Sequence, residues 1–323
     1  MPELRKLLAF VKPYRATAAL SLVLLVIVVL LDLAIPRLVQ RVIDQGILAG
    51  DTSVVLRTFV VMLAISVANT LFSVGNNHYS VRVGEGVARD LREALFVRIQ
   101  AFSFGNLDRL GTGQLMVRLS SDSGVLQRLV QVSLRIGTRA PLIMVGSIVL
   151  MFRTDRHLAL SMVPLLVATS AIILLFVFKM SPLFLTMQLK LDRLNTVLQE
   201  NIAGIRLVKV FVREAHEAER FESANEDYTR RNIRVIEFMS TMGPALGACV
   251  NIGIVLVIWA GGRLAMDGTM TTGQIVAFVN YLQTFLGPLM IMANLANVWA
   301  AGIVSARRVN ELLEMVPEVS DAP

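Results

Sequence analysis

The 323-residue chain has one cysteine, three histidines and little charge. A single thiol, Cys249, excludes an intrachain disulfide, and in its apolar surroundings it is most simply a small packing residue. His78, His157 and His216 lie far apart and lack metal-ligand spacing, so no metal site is expected. Charged residues make up 17% of the chain, against about 25% in a soluble domain. The deficit is concentrated in blocks, which points to an integral membrane protein. No Gly-x-x-x-x-Gly-Lys-Ser/Thr run is present. The stretch from Gly268 to Gly273 has the glycine spacing, but Gln274 stands where the lysine would be, so no phosphate cradle and no catalytic residue are assigned.

What is present is apolar residue in long runs. Residues 16–31, 58–81, 158–178, 238–262 and 268–306 are uncharged. A bilayer core of about 30 Å needs roughly 20 such residues, so these predict spans. A sixth run, 140–152, is short enough to be a buried helix instead. It is taken as a span because Arg135 and Arg139 can snorkel inward and Arg153 outward. Residues 1–15 read as an interfacial helix, with Leu4, Leu7, Leu8 and Val11 on one side, Arg5, Lys6 and Lys12 on the other, and Pro13 breaking it. A signal peptide also begins with a basic stretch, but no small-x-small cleavage site follows.

Net charge is +7, which in a soluble protein would raise nucleic acid as a partner. Here the bases flank apolar blocks, so orientation and anionic membrane lipids explain them and no nucleic acid is expected. Of 31 basic residues, only Arg37, Arg41, Arg57, Arg153, Arg156 and Arg263 fall on one side of a six-span arrangement. The positive-inside rule therefore predicts both termini in the cytoplasm. Asp32 is expected near the outer surface, paired with Arg37 or Arg41, a gating or proton-coupled role being the functional alternative.

The two long connections on the basic side, residues 82–135 and 179–237, predict helical arms. In the first, Val83, Val87, Leu91, Leu95 and Ile99 recur every four residues, and Glu85, Arg89 and Glu93 form a ladder on another face. Proline is absent between Pro36 and Pro141, so residues 57–104 predict one helix of about 70 Å. Residues 105–113 read as a turn-rich break. The second arm repeats the plan around Gln199–Glu219. There Ile202, Ile205, Val208 and Val212 keep helical spacing until Arg213, Glu214 and Glu217 turn the surface polar. The alternative is a solvated helix in a large loop.

Polar groups inside apolar spans are costly and face a bundle interior. Asn69, Asn76, Asn77, Asn251, Asn280, Gln283 and Asn294, with Phe285, Met292 and Trp299, are candidate walls of an adaptable cavity for lipophilic compounds. The competing reading of each amide is an interhelical hydrogen bond that only holds the bundle together.

Several stretches together resemble the transmembrane domain of an ATP-binding-cassette (ABC) exporter of the multidrug or lipid-flippase type. They are Phe10-Val-Lys-Pro-Tyr14, Ile35-Pro-Arg-Leu with Ile43-Asp-Gln-Gly46, Asp90-Leu-Arg-Glu-Ala-Leu, Thr112 to Asp122, Gln199 to Phe211, and Ala306-Arg-Arg-Val-Asn-Glu-Leu-Leu313. The stretch from Leu134 to Leu142 looks most like one half of a bacterial heterodimeric multidrug exporter. The resemblance implies an all-α, polytopic membrane fold with an elbow helix (1–15), a six-helix transmembrane domain (16–313) with two cytoplasmic arms, and the start of a linker (314–323). It implies coupling helices at the arm tips, assigned by position to Ser120, Ser121, Asp122 and Leu126 in the first arm and to Phe211, Arg213, Glu214 and Glu217 in the second. Asp122 is alternatively a helix N-cap.

The implied partners are a nucleotide-binding domain, in the same or a separate chain, a second transmembrane half, identical or different, and lipid in a bacterial inner membrane. The implied cofactor is MgATP on the nucleotide-binding domain. No ATPase motif occurs in this chain, so it should not hydrolyse ATP alone. The implied function is ATP-driven export of amphipathic or drug-like substrates. The rival is a six-span secondary transporter or channel, which should carry intramembrane coupling charges. A third reading is a scaffold that only binds a partner.

Overall fold

Lipid offers no hydrogen-bond partners, and a helix satisfies its backbone within one segment. The computed structural model describes residues 2–316, apart from the side chains of 2–5, 7, 289–291, 293, 294 and 296. Among the described residues the structure is all helix and turn. Helix α1 (Pro2–Val11) ends in a 3-10 turn, Lys12–Tyr14, that contains Pro13, as expected. Then come α2 (Arg15–Arg41), a π turn (Val42–Ile47) and α3 (Thr52–Gln100). The first arm continues with α4 (Phe104–Leu110), α5 (Thr112–Val117), a π turn (Arg118–Asp122), α6 (Ser123–Val132), a second π turn (Ser133–Gly137) and α7 (Arg139–Thr154). The remaining helices are α8 (Arg156–Ala203), α9 (Ile205–Val210), α10 (Glu214–Met266) and α11 (Thr272–Glu314).

Among the described residues, five segments are long and apolar enough to cross a membrane: Leu8–Ile47, Thr52–Gln100, Thr112–Thr154, Arg156–Ala203 and Glu214–Met266. The short run 140–152 is therefore the end of a rod with ample length. The expected sixth span falls on α11, where several side chains lie outside the described residues. The uncharged run ends at Leu31, and α2 continues past Asp32 and through Pro36 to Arg41. Helix α3 has 49 residues, about 73 Å at the α-helical rise.

The chain divides into two compact units. One takes the chain up to Leu160 and from Val257 on; the other is Ser161–Leu256. In the first, Val83, Val87, Leu91 and Leu95 are buried, as their four-residue spacing predicts. Leu91 and Leu95 share a core with Leu126, Leu129, Ala306 and Val309, joining α3, α6 and α11. The elbow packs on α3 through Tyr14, whose hydroxyl donates to Asp90 at 2.9 Å. Its ring lies so close that a Cβ on Gly86 would fall 2.5 Å away, so only glycine fits there. The expected Glu85–Arg89–Glu93 ladder does not form. Arg89 bonds Asp90 at 2.9 Å, while Glu85 accepts from Gln127 at 2.7 Å. The Arg89–Asp90 bond stays within α3, while the Glu85–Gln127 bond crosses to α6.

The start of α11 is held by a foreign carboxylate. Asp44, in the π turn after α2, accepts from the Thr271 hydroxyl at 2.5 Å and from the Gly273 backbone at 2.8 Å. Thr271 and Gln274 form a reciprocal capping box. The stretch that has P-loop glycine spacing is thus a helix cap.

Asp122 corrects the sequence reading most clearly. It was expected at an arm tip or as an N-cap, yet it is fully buried and makes no cap bond. It accepts from Ser305 at 2.8 Å and from Arg308 Nε at 2.9 Å, tying the first arm to α11. Removing one partner of a buried pair costs about 3–5 kcal/mol. Arg308 is 44% exposed, so solvent screening lowers the expected cost of Asp122→Ala to about 2 kcal/mol. Thermal unfolding in detergent should show that loss, whereas Ser120→Ala, at an exposed position, should shift stability by less than about 0.5 kcal/mol. Equal effects would remove the brace.

Candidate functional site

Three sets of residues can carry function: a cavity in the first unit and the tips of the two arms. The cavity has a volume of about 960 Å³. Helix α2 presents Leu25, Val28, Asp32 and Ile35 to it at helical spacing, and α3 presents Ser73, Asn76 and Asn77. The π turn Ser133–Gly137 and the start of α7 supply Arg135 and Arg139, and α11 supplies Gln283 and Thr284. A π turn inserts extra backbone into a helix and re-aims its side chains, here bringing Arg135 into the cavity four residues before Arg139.

The charged groups are the main departure from expectation. Asp32 does not pair with Arg37 or Arg41. Its carboxylate accepts from Arg139 at 2.8 Å and from Asn69 at 2.5 Å. Arg135 donates to the Asn77 side-chain oxygen at 2.6 Å. Both arginines, expected to snorkel toward a membrane surface, line the cavity instead. Their four-residue spacing puts them on one helical face, and that was the available signal.

The expected cavity amides divide three ways. Asn77 and Gln283 line the cavity, and Asn69 reaches it through Asp32. Asn76 touches it but is 3% exposed, and its amide donates to the Ser21 carbonyl at 2.8 Å and hydroxyl at 3.0 Å, an interhelical brace. Asn280 bonds the Val276 carbonyl of its own helix at 2.8 Å, and Phe285 is buried. Met292 and Trp299 are each 38% exposed on α11 and are not among the residues lining this cavity. Asn251 is exposed in the second unit. The Asn294 side chain lies outside the described residues.

The far end of the first arm falls on the expected break at 105–113, ahead of the residues assigned to its coupling helix. In the first arm the chain turns at Ala101–Ser103 and again at Gly111, where φ is +70°. Between them lies α4, a seven-residue helix where a turn-rich break was expected. Leu110 is buried under it, while Phe104 is 86% exposed. Ser120 and Ser121 are exposed on the returning limb, and Asp122 and Leu126 are buried there, so this stretch is not the tip.

In the second arm the tip is α9, six residues, followed by a turn in which Val212 has φ +50°. A β-branched residue in that region is strained, which marks a tightly constrained turn. Leu207, Val210, Phe211 and Val212 are all exposed. Arg213 is exposed too, but Glu214 and Glu217 begin the returning helix and are engaged internally. Glu214 pairs with Lys209 at 3.2 Å, and Glu217 accepts from Asn201 at 3.3 Å and meets Arg220 at 3.6 Å. Phe211 is thus at the tip, whereas the two carboxylates brace it. The two arms do match in plan: a long helix, a short tip helix, and a return.

A family model described as ABC transporter transmembrane region matches residues 18–289. An uncharacterized ABC transporter ATP-binding protein of Bacillus subtilis, YfiB, is 31% identical over 96% of this chain and 54% of its own length. Another uncharacterized ABC transporter ATP-binding protein, from Mycobacterium tuberculosis, is 29% identical over 94% of this chain and 52% of its own. The ATP-dependent lipid A-core flippase of Syntrophus aciditrophicus is 25% identical over 99% of this chain and 53% of its own. The chain spans about half the length of these relatives.

Interhelical side-chain bonds in membranes contribute about 0.6–1.7 kcal/mol. Asn76→Ala should therefore lower stability by about 1 kcal/mol, read as a lower unfolding temperature in detergent, and Ser21→Ala should give no further loss in the double variant. Full additivity of the two would mean that the pair does not interact.

Proposed function

The chain belongs to the ABC transporter transmembrane region family, and we propose that it is the translocation domain of an ATP-driven exporter of amphipathic or drug-like substrates. The observation that carries this reading is the pair of short tip helices, each with an exposed aromatic: Phe104 on α4 and Phe211 beside α9. An aromatic on a short rigid helix is a good anchor for a groove on a partner. That partner is a nucleotide-binding domain, in the same polypeptide or a separate one. MgATP has no seat among the described residues here, since the sole glycine spacing of P-loop type is the Thr271 helix cap. A second transmembrane half, identical or related, completes the exporter. The bias of basic residues supports a cytoplasmic position for the arm tips and both termini, and the bacterial relatives favour the inner membrane.

The secondary-transporter reading gains one observation, the Asp32–Arg139 pair in the cavity. It gives the two tips nothing to do. The discriminating experiment begins with the intact mass of the native protein from its own membranes. A mass above 35.5 kDa, or a co-purifying ATPase chain, with MgATP hydrolysis, supports the exporter. A mass of 35.5 kDa with nothing bound and no hydrolysis moves the reading to the rival. In the assembled transporter, Phe211→Ala should cut ATP-driven transport by about tenfold or more, as loss of an interface anchor of about 2 kcal/mol would. Transport unchanged in the Phe104→Ala, Phe211→Ala double variant would remove the tips from the coupling mechanism.

A further inference from the structure

The cavity walls are unevenly charged. Three ionised side chains reach them, Asp32, Arg135 and Arg139, two positive and one negative. The one carboxylate is engaged with Arg139 at 2.8 Å. Arg135, among the described residues, bonds only the neutral side-chain oxygen of Asn77. Among the described residues the cavity therefore holds a guanidinium with no carboxylate to balance it, beside the apolar surfaces of Leu25, Val28 and Ile143. Arg139 is 44% exposed, so the site is half open and water weakens its pull on an anion without removing it. A guanidinium fork matches the oxygens of a phosphate or carboxylate in particular.

Resting on the translocation reading above, we propose that this cavity selects amphiphiles with an anionic headgroup. The headgroup sits on Arg135, with Arg139 as a second donor, and the apolar chain lies against α2 and α7. Asp32 sets the strength of the site by neutralising Arg139. A cationic amphiphile of the same length is disfavoured by the same field. The volume of about 960 Å³ holds one such molecule with a single chain.

The test uses the transporter with its nucleotide-binding domains, in phosphatidylcholine nanodiscs. Three probes are titrated by thermophoresis: dodecyl phosphate, dodecyltrimethylammonium and inorganic phosphate. Dodecyl phosphate should bind at least about tenfold more tightly than either of the others, and Arg135→Gln should weaken it by about tenfold. Asp32→Asn should tighten binding of dodecyl phosphate by freeing Arg139, a change that misfolding does not produce. Arg135→Lys, which keeps the charge, should retain most of the preference for the anion.

Equal binding of the cationic probe, or an Arg135→Gln variant that binds dodecyl phosphate normally, would overturn the assignment. Inorganic phosphate binding as tightly as dodecyl phosphate would overturn its amphiphile half and make the site one for a soluble anion. The translocation reading is scored separately, by MgATP hydrolysis in the same nanodiscs. Hydrolysis with no preference for the anion removes this inference alone, while its absence removes the reading beneath it.

Discussion

Hydrocarbon provides no hydrogen bonds, and the rest of the structure follows from that constraint. It makes every crossing element a helix, and it sorts the polar side chains within them. Some are satisfied by their own helix: Ser66 donates to the Met62 carbonyl, Thr70 to Ser66, and Thr169 to Leu165. These report nothing about function. Others bond across helices and hold the bundle, as Asn76 does with Ser21. The third kind collects around the cavity, where Asp32, Asn69, Asn77, Arg135 and Arg139 are bonded to one another. Groups that lipid would penalise are thus concentrated in a place that is not lipid. The apolar surface left exposed on α3, including Phe59, Leu63 and Leu71, suits hydrocarbon rather than water.

What was legible in the sequence rests on a single variable at a time. The length of an uncharged run predicts a span, and the four-residue repeat from Val83 to Leu95 predicts the buried face of α3. Both readings survive because neither depends on a distant residue. Asp32 is the opposite case. Its sequence neighbours Arg37 and Arg41 sit five and nine positions along a helix, where they do not share its face. Its actual partner is on α7, and only the packing of α7 on α2 brings the two together. The same holds for Asp122, whose partners are 183 and 186 positions away. The coupling stretches were assigned by position. In the first arm the exposed Phe104 on α4 lies ahead of the assigned residues 120–126, whereas in the second Phe211 is at the tip as expected. The break at Ala101–Ser103 contains neither glycine nor proline to announce it.

One element connects the features of the first unit. Helix α11 starts at the Asp44 clamp, passes the cavity with Gln283 and Thr284, and ends in the arm core where Ser305 and Arg308 hold Asp122. It is 43 residues long, with Pro288 between Thr284 and the arm core. The arm end is fixed by the carboxylate of Asp122 and by Leu129, which would lie 2.6 Å from a Cβ on Gly302. The close approach at Gly302 and the Asp122 pair join the first arm to the end of α11. Parting the arm from α11 would leave the fully buried Asp122 carboxylate without a partner, which is costly. The helix that carries Gln283 and Thr284 along the cavity wall is thus the one to which the first arm is braced.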